Sequence, residues 1–273
     1  MKDFRDKVCV ITGSGSGIGR ALSLELASRG ARLAVSDIDG AAAEATAAAC
    51  LASGARETAA FALDVSDRAA VFAHADEVAT RFATVNLVIN NAGVALEGTV
   101  LETSIENYEW IVGINFWGVV YGTKAFLPHL IASGAGHVVN ISSLFGLIGI
   151  PGQSGYNATK FAVRGFTESL RQEMLMAGHR VGVSCVHPGG VKTNIARAAR
   201  SELDPEERAE AFEKIARLTP QDAARIIVRG VEQRRARILV GNDARALDLL
   251  QRATGSGYQG IVWRVAKRAE AMR

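Results

Sequence analysis

The sequence has few prolines, few cysteines and no long apolar run. Five prolines and three cysteines among 273 residues exclude collagen-like proteins, proline-rich disordered chains and disulfide scaffolds. No stretch of about 18 uncharged apolar residues occurs, so we expect no membrane-spanning helix. Residues 1–7 lack the apolar core of a signal peptide. The wide spacing of Cys9, Cys50 and Cys185 indicates reduced thiols, and we expect a cytoplasmic protein.

Charge is nearly balanced overall but uneven along the chain. The net charge is +3, yet residues 225–273 hold 11 basic and 4 acidic side chains. Such a basic end is compatible with an acidic membrane surface, and equally with a solvated surface that balances the acidic body. The basic residues are not interleaved with aromatic ones, as a groove for single-stranded nucleic acid requires. We therefore expect no nucleic-acid partner.

Short apolar runs alternate with longer alanine-rich stretches. The runs are apolar throughout, which is typical of strands covered on both faces of a parallel sheet. They lie at residues 8–11, 33–36, 59–63, 87–89, 137–141, 181–186 and 238–240. Helices are expected at residues 18–28, 41–53, 67–81, 105–131, 156–177 and 221–234. This alternation predicts an α/β fold with a doubly wound, seven-stranded parallel sheet and helices on both faces.

The length and the remaining segments predict one domain with two additions. A chain of 273 residues fits a single α/β domain over residues 1–273, with its core at about 5–240. The connection 193–218 is long, and such segments are usually lids or binding loops. Residues 244–273 follow the last strand and predict a C-terminal helical extension of one or two helices. Thr103 with Glu106 resembles a capping box, and Thr219 precedes a proline as an N-cap does.

A turn rich in glycine and serine joins the first strand to the first helix. It reads Thr12-Gly13-Ser14-Gly15-Ser16-Gly17-Ile18-Gly19. Glycines let the backbone turn sharply and approach a ligand closely, and a helix N-terminus offers unpaired N–H groups to a pyrophosphate. The spacing differs from G-x-G-x-x-G, so a plain strand-to-helix turn is the alternative. We predict a phosphate-binding loop because the turn stands at the first crossover.

Asp37 follows the second predicted strand. A carboxylate at this place can accept hydrogen bonds from the ribose hydroxyls of adenosine and repels a 2′-phosphate. No lysine or arginine lies between Gly13 and Gly19 to attract such a phosphate. These features favour NAD over NADP. The alternative is that Asp37 or Asp39 only caps the next helix.

Polar and small residues also follow the third and fourth strands. Asp64 and Val65 end the third strand, where a carboxylate can accept a hydrogen bond from adenine. The run Asn90-Asn91-Ala92-Gly93 ends the fourth, where small and amide residues can lie against a ribose. Either stretch could be only a turn, because Asn and Gly are turn residues.

Ser143, Tyr156 and Lys160 are the candidate chemical groups. Ser143 closes the fifth strand, and Lys160 follows Tyr156 by four residues, so both side chains share one helix face. A free phenol has a pKa near 10, and a nearby ammonium lowers it. The pair therefore suits general acid–base catalysis near neutral pH.

Together these motifs resemble the classical short-chain dehydrogenase/reductase family. They occur in the family's order and spacing: the glycine turn, Asn90-Asn91-Ala92-Gly93, Asn115, Ser143, Tyr156-Asn157-Ala158-Thr159-Lys160 and Pro188-Gly189. The resemblance implies a Rossmann-type fold. It also implies a homodimer, often within a homotetramer, that forms around the helices of Asn115 and Tyr156.

The resemblance implies four catalytic residues. Tyr156 would be the general acid–base, Ser143 would hydrogen-bond the substrate oxygen, and Lys160 would lower the tyrosine pKa and hold the nicotinamide ribose. Asn115 would distort its helix locally and position a water near Lys160. The chemistry at carbon is hydride transfer, which the cofactor supplies.

The expected cofactor is NAD, with NADP the less favoured possibility. The segment Pro188-Gly189-Gly190-Val191-Lys192-Thr193 would hold the carboxamide, with Val191 and Thr193 in contact. The expected cofactor-binding residues are Gly13, Ser16, Gly17, Ile18, Gly19, Asp37, Asp64, Val65, Asn91, Ala92, Gly93, Tyr156, Lys160, Pro188, Gly189, Val191 and Thr193. The histidines share no metal-ligand spacing, so no metal site is expected.

The substrate is expected to be hydrophobic. The loops after the fourth and fifth strands are apolar, which suits an alcohol or ketone with few polar groups. The expected substrate residues are Leu96, Ser143, Leu144, Phe145, Ile150 and Tyr156. Residues 261–268 have an apolar side and three bases, and we expect them to cover a sheet edge used in tetramer packing rather than to lie on a membrane surface.

The sequence therefore predicts an oxidoreductase that transfers a hydride between NAD(H) and a hydrophobic secondary alcohol or ketone. One alternative is an NADP-dependent carbonyl or 3-oxoacyl reductase, against which Asp37 and the long C-terminal extension argue. A second alternative is a non-catalytic nucleotide-binding sensor or scaffold on the same fold, because fold alone does not fix function.

Overall fold

Seven parallel strands form one continuous sheet in the computed structural model, which describes residues 3–201 and 204–270. Their order across the sheet is β3-β2-β1-β4-β5-β6-β7, and every neighbouring pair is parallel. The strands are β1 Val8–Thr12, β2 Arg32–Asp37, β3 Glu57–Ala62, β4 Leu87–Asn90, β5 His137–Ile141, β6 Gly182–Pro188 and β7 Arg237–Val240. The predicted doubly wound parallel sheet is confirmed.

Ten α-helices connect or follow these strands in the described parts of the chain. They are α1 Gly17–Ala27, α2 Gly40–Ala52, α3 Arg68–Phe82, α4 Ile105–Val112, α5 Gly118–Ala132, α6 Ser154–Met176, α7 Pro205–Ile215, α8 Pro220–Glu232, α9 Asn242–Thr254 and α10 Tyr258–Glu270. A π-helical turn, Gly113–Trp117, joins α4 to α5, so the helix predicted at 105–131 is interrupted once. None of the described helices has both the length and the apolarity that crossing a membrane requires.

Each face of the sheet is covered by its own helical layer. On one face, Leu22 and Leu26 of α1 pack with Ile227 of α8 against the sheet. On the other, Phe126 of α5 and Leu170 of α6 belong to a second buried cluster that also includes α3. Strands between two apolar layers are apolar throughout, because both of their faces are removed from water.

The strand order reverses between β1 and β4. The chain winds from β1 outward to β3, and then crosses back to place β4 on the other side of β1. Ligands of doubly wound sheets bind at the carboxyl ends of the strands beside such a reversal. The glycine turn after β1 and the Asn91–Gly93 loop after β4 both lie at this point.

The C-terminal extension consists of α9 and α10, in agreement with the one or two helices predicted. Ala244 of α9 and Tyr258 of α10 are buried in a third apolar cluster with Leu144 and Ile148 of the β5–α6 loop. The extension therefore packs on a loop that follows Ser143. Residues 271–273 of the predicted extension lie outside the described residues.

One of the two predicted helix caps is wrong. Ser104, not Thr103, caps α4, since its Oγ accepts a hydrogen bond from the Asn107 N–H at 3.3 Å. The Thr103 hydroxyl instead donates to the Thr99 carbonyl at 2.8 Å. The Thr219 cap is confirmed, because its Oγ1 accepts from the Asp222 N–H at 3.1 Å.

The segment predicted to be a lid, 193–218, contains the helix α7. Two of its residues, 202 and 203, lie outside the described residues. Arg208 of α7 is buried and donates to the Ala199 carbonyl at 2.8 Å, and Arg197 pairs with Glu206. The described parts of the segment are thus bonded to one another, and its opening and closing stay a prediction.

Candidate active site

Backbone close approach makes glycine necessary in the turn after β1. Gly13 and Gly17 have φ values of 65° and 52°, a region that side chains disfavour. A Cβ at Gly19 would lie 2.0 Å from the Gly13 carbonyl oxygen. The turn therefore folds back on itself more tightly than any larger residue allows.

The first turn of α1 is open to a ligand. Ser16 stands at its N-cap without a side-chain capping bond, whereas Asp39 caps α2 and Asp67 caps α3. An uncapped helix N-terminus presents unpaired N–H groups and a partial positive charge. The Thr193 methyl group lies above this turn, 3.2 Å from the position of a Cβ on Gly17. The cradle fits the pyrophosphate of a dinucleotide, with Ser16, Gly17 and Ile18 at its base.

Asp37 ends β2 beside this turn. Its Oδ2 accepts a hydrogen bond from the Gly15 N–H at 2.8 Å, and its Oδ1 accepts from the Asp39 N–H at 3.1 Å. The cap of α2 is Asp39, whose side chain accepts from the Ala42 N–H. Asp37 is therefore not the helix cap, and its carboxylate lies where the glycine turn meets the end of β2.

The loop after β4 is fastened to the glycine turn. Asn91 Nδ2 donates to the carbonyls of Thr12 and Gly13 at 2.9 and 3.1 Å. The Thr12 hydroxyl accepts from the N–H groups of Asn91 and Ala92, both at 3.1 Å. A Cβ on Gly93 would lie 3.1 Å from Asn115 Oδ1 and 3.4 Å from Lys160 Nζ. This loop thus joins the glycine turn to two of the predicted catalytic residues, Asn115 and Lys160.

Asp64 and Val65 lie in the turn between β3 and α3. Asp64 Oδ1 accepts from the Ser66 N–H at 2.8 Å and from the Ser66 hydroxyl at 2.7 Å. Val65 is buried, and its Cγ2 lies 2.9 Å from the position of a Cβ on Gly118. A contact of either residue with adenine stays a prediction.

Asn115 lies in the π-helical turn and is buried. Its side chain holds the Val94 backbone twice, since Oδ1 accepts from the Val94 N–H at 2.8 Å and Nδ2 donates to the Val94 carbonyl at 2.9 Å. The wider π-helical turn coincides with the local helix distortion that the family resemblance implies for this residue. Asn115 thereby fixes the β4–α4 loop next to Lys160.

Ser143, Tyr156 and Lys160 meet at the ends of β5 and α6. Ser143 Oγ accepts from the Phe145 N–H at 3.1 Å, and the Phe145 ring contacts the Tyr156 ring edge to face at 6.0 Å. Lys160 is buried, and its Nζ donates to the Ile141 carbonyl at 3.1 Å while lying 5.6 Å from the centre of the Tyr156 ring. The three predicted residues are brought together.

Burial opposes charge on both members of the Tyr156–Lys160 pair. It raises the pKa of Tyr156, while the Ser143 hydroxyl lowers that pKa by a smaller amount. It also lowers the pKa of Lys160 to about 8. The loss of water outweighs the Ser143 hydroxyl in setting the pKa of Tyr156, and the lowering of this pKa by Lys160 that the family resemblance implies stays a prediction. Tyr156 is a protonated phenol at neutral pH here.

The segment Pro188–Thr193 begins at the last residue of β6 and continues along the same edge of the sheet. Val191 is buried, and the Gly190 N–H donates to Asp243 Oδ2 at 2.7 Å. A Cβ on Gly189 would lie 2.1 Å from Asp243 Oδ1. The predicted carboxamide segment is therefore held by the first turn of α9.

The predicted substrate residues lie in the β5–α6 loop or next to it. Leu96 is buried and reaches to within 3.0 Å of the position of a Cβ on Gly155. Leu144 is buried under the C-terminal extension, and Phe145 and Ile150 are half-buried beside it. The described residues contain no group of three or more histidine, cysteine or acidic side chains arranged to hold a metal ion.

Three residues near the site were not predicted. His187 Nδ1 lies 2.9 Å from the Ser143 carbonyl oxygen; since a carbonyl only accepts, this nitrogen carries a proton. Burial lowers the pKa of His187 to about 4, so the ring is neutral at physiological pH.

Asp243 and Tyr258 are the other two residues. Asp243 accepts a hydrogen bond from the Gly190 N–H, and the Tyr258 hydroxyl accepts one from the Gly149 N–H at 3.0 Å. Asp243 could have been found, because parallel strands end at one edge and Asp243 follows β7 as Gly190 follows β6.

The site thus combines a turn that fits a phosphate with the cluster of Ser143, Tyr156 and Lys160. A family model described as short chain dehydrogenase matches residues 7–204. The chain belongs to the short-chain dehydrogenase/reductase family. The family resemblance expected from the motifs is confirmed, and the protein is an oxidoreductase of this family.

Relatives along almost the whole chain support the assignment. SadH of Mycobacterium tuberculosis, whose description as an oxidoreductase is itself provisional, is 54% identical over 96% of this chain and 96% of its own. Levodione reductase of Leifsonia aquatica is 35% identical over 80% of this chain and 81% of its own. A family member from Burkholderia phymatum, solved in complex with NAD, has a TM-score of 0.86 and 34% identity over 93% of this chain and 95% of its own.

Proposed function

We propose that the protein is an NAD-dependent alcohol dehydrogenase or carbonyl reductase that acts on a hydrophobic secondary alcohol or ketone. The observation that carries this is that Asn115, Ser143, Tyr156 and Lys160 lie close together. The loop of Gly93, which contacts Asn115 and Lys160, connects them to the glycine turn. A scaffold that only binds nucleotide has no need of all four groups at one place. When bound, NADH would supply the hydride for reduction and oxidised NAD would accept it in oxidation.

The side chains divide the remaining work. Ser143 donates a hydrogen bond to the substrate oxygen, and Tyr156 gives that oxygen a proton when a carbonyl is reduced. The raised pKa of Tyr156 keeps the phenol protonated, which is the form the reduction needs. In the oxidation of an alcohol, Tyr156 must first lose its proton, and the ammonium of Lys160 is the group in this chain that favours the phenolate.

Asn115 and His187 hold the reacting groups in place. Asn115 fixes Val94 and Gly93 against Lys160, and we expect a water on this side that carries protons from Lys160 to solvent. His187 holds the carbonyl of Ser143 from behind. Proton transfer is faster when the reacting side chains are already held in position, because they need not reorient during the reaction.

NAD is favoured over NADP by Asp37. Its carboxylate stands at the mouth of the glycine turn, where a 2′-phosphate would meet its negative charge, and the turn itself contains no basic residue. The NAD complex of the Burkholderia phymatum relative supports the same choice. The name of the levodione reductase relative supports a carbonyl substrate.

We also propose that the protein is a homodimer or homotetramer and that it is located in the cytoplasm. Trp117 and Phe161 are large apolar side chains left exposed on the π-helical turn that carries Asn115 and on α6, which carries Tyr156. Exposed apolar surface of this kind is typical of subunit contacts. The three cysteines are free and buried, which is compatible with the proposed compartment.

The test is a panel of secondary alcohols and ketones assayed with NAD(H) and NADP(H) in parallel. We expect turnover of apolar members with NAD(H), and little with NADP(H). A preference for NADP(H) would favour the carbonyl or 3-oxoacyl reductase alternative. Tight NAD binding without turnover of any member would favour the non-catalytic sensor.

A further inference from the structure

A carboxylate of the C-terminal extension lies against the backbone of the segment Pro188–Thr193. Asp243, in the first turn of α9, accepts a hydrogen bond at Oδ2 from the Gly190 N–H at 2.7 Å. The three heavy atoms nearest to the position of a Cβ on Gly189 all belong to the Asp243 carboxyl group. The carboxylate therefore contacts two consecutive glycines. Asp243 lies outside residues 7–204, the part of the chain that the family model matches.

The helix that carries Asp243 is itself fixed in place. Ala244, the next residue of α9, is buried with Leu144 of the β5–α6 loop. Further along the same helix, Asp248 pairs with Arg237 of β7 at 2.9 Å. Contacts on two sides thus hold α9, so the carboxylate of Asp243 has a defined position relative to the ends of β6 and β7.

The two polar backbone groups of Gly190 are held by different partners. Its carbonyl accepts from the N–H groups of Arg217 and Leu218 at 3.2 and 3.3 Å, and the Lys192 N–H donates to the Leu218 carbonyl at 2.9 Å. These are backbone bonds, which a side-chain substitution does not remove. The N–H of Gly190 depends on the side chain of Asp243. Since glycine has the greatest backbone freedom of any residue, loss of this side chain should loosen the segment.

The segment extends from the catalytic cluster to the glycine turn. At its start, the preceding residue His187 donates from Nδ1 to the Ser143 carbonyl at 2.9 Å. At its end, the Thr193 methyl group lies 3.2 Å from the position of a Cβ on Gly17. A dinucleotide with its pyrophosphate on the glycine turn and its reacting ring beside Ser143 would place its nicotinamide half along this segment. Its adenosine half would lie on the other side of the turn, towards Asp37.

We propose that Asp243 is a positioning residue for the nicotinamide half of the cofactor. The inference rests on the proposed function and adds to it a residue that acts through Gly189 and Gly190 without touching the reacting atoms. A binding segment that is already ordered costs less free energy when the ligand binds. Without Asp243 this cost falls on cofactor binding, and only for ligands that reach the segment.

The experiment compares the affinities of NAD and of ADP-ribose, which lacks the nicotinamide, by calorimetry. Asp243→Ala should lower NAD affinity about tenfold, the loss expected for a hydrogen bond to a charged group, and leave ADP-ribose affinity unchanged. Asp243→Asn keeps an oxygen that can accept from the Gly190 N–H and should recover most of the NAD affinity. Asn242→Ala is the matched control, because it changes the exposed neighbour in the same helical turn, and it should alter neither affinity.

Hydrogen exchange of the unaltered protein gives a readout that stands even if no variant folds. NAD should slow exchange at the amides of residues 189–193 more than ADP-ribose does, and equal protection by the two ligands would contradict the inference. An equal loss of affinity for both ligands in Asp243→Ala, or no loss for NAD, would overturn it while the proposed function stands. Failure of the unaltered protein to bind NAD would overturn the proposed cofactor and the inference with it.

Discussion

The glycine turn and the catalytic cluster lie at the same edge of the sheet but are built in opposite ways. The turn offers backbone N–H groups at an uncapped helix end, and it works because side chains are absent from Gly13, Gly17 and Gly19. The cluster offers buried side chains, and burial shifts the pKa values of Tyr156 and Lys160 away from their charged forms. The turn should therefore be broken by adding atoms, and the cluster by removing them.

The largest effect is expected from removal of one atom in the cluster. Tyr156→Phe deletes the proton donor, so kcat/KM should fall by about 10³-fold. NAD binding, measured by calorimetry, should stay near its original affinity because the glycine turn is untouched. Tyr121→Phe makes the same chemical change at a ring stacked on Trp117, and it should leave kcat/KM unchanged. Equal activity of the Tyr156 variant and the original would remove Tyr156 from the mechanism.

Addition of one atom to the turn should give the next largest effect. Gly19→Ala places a Cβ 2.0 Å from the Gly13 carbonyl, so the turn must move, and we expect NAD affinity to fall by about 10²-fold. Thermal unfolding should also shift downward. Gly165→Ala is the control: nothing lies within 4 Å of its Cβ, and alanine stabilises an exposed helix position by up to about 1 kcal/mol. Unimpaired NAD binding by the Gly19 variant would contradict the close-approach argument.

Substitutions of Asp37 and Asp39 distinguish the selection of NAD over NADP from the capping of α2. Asp37→Ala should lower the preference for NAD over NADP by about tenfold, because a charge-assisted contact with the ribose and the repulsion of a 2′-phosphate are both lost. Asp39→Ala should instead lower stability by about 1 kcal/mol through loss of the α2 cap, with the preference unchanged. Steady-state kinetics with both cofactors and thermal unfolding distinguish the two. The reverse assignment of effects would show that Asp39 is the cofactor ligand.

The smallest effect is expected on the stability of the fold, at His74, which lies outside the glycine turn and the catalytic cluster. His74 lies between the rings of Phe61 and Phe126, and burial lowers its pKa to about 4. The unfolded chain therefore binds a proton at His74 below about pH 6.5 that the folded chain does not, so this histidine makes the free energy of unfolding fall as pH falls toward 4. His74→Leu should remove about 1 kcal/mol of the stability change between pH 7 and pH 5.5. The free energy of unfolding of both proteins is measured by denaturant titration at the two pH values. If it changed with pH equally in the His74→Leu variant and in the original protein, the burial argument would be contradicted.

Local signals predicted the turn better than they predicted the cluster. The glycine turn, Asp37 and the Asn91 loop follow strands whose apolarity marks them as buried, and parallel strands bring their ends to one edge. The burial that raises the Tyr156 pKa could not be predicted, because it depends on residues far away in sequence. Tyr258 touches Gly149 across 109 positions of the chain, and no local pattern indicates such a contact. Thr103 and Ser104 are adjacent and both able to cap, so only the backbone geometry decides between them.

The most direct test of hydride transfer follows the hydrogen itself. A hydrophobic secondary alcohol that carries deuterium on its hydroxyl-bearing carbon is incubated with the protein and NAD, and the reduced cofactor is examined by mass spectrometry. The proposed function predicts that the deuterium appears in the reduced NAD in a one-to-one ratio with the ketone formed. Ketone formation with the label lost to water, or no reduced NAD with any apolar alcohol, would contradict it.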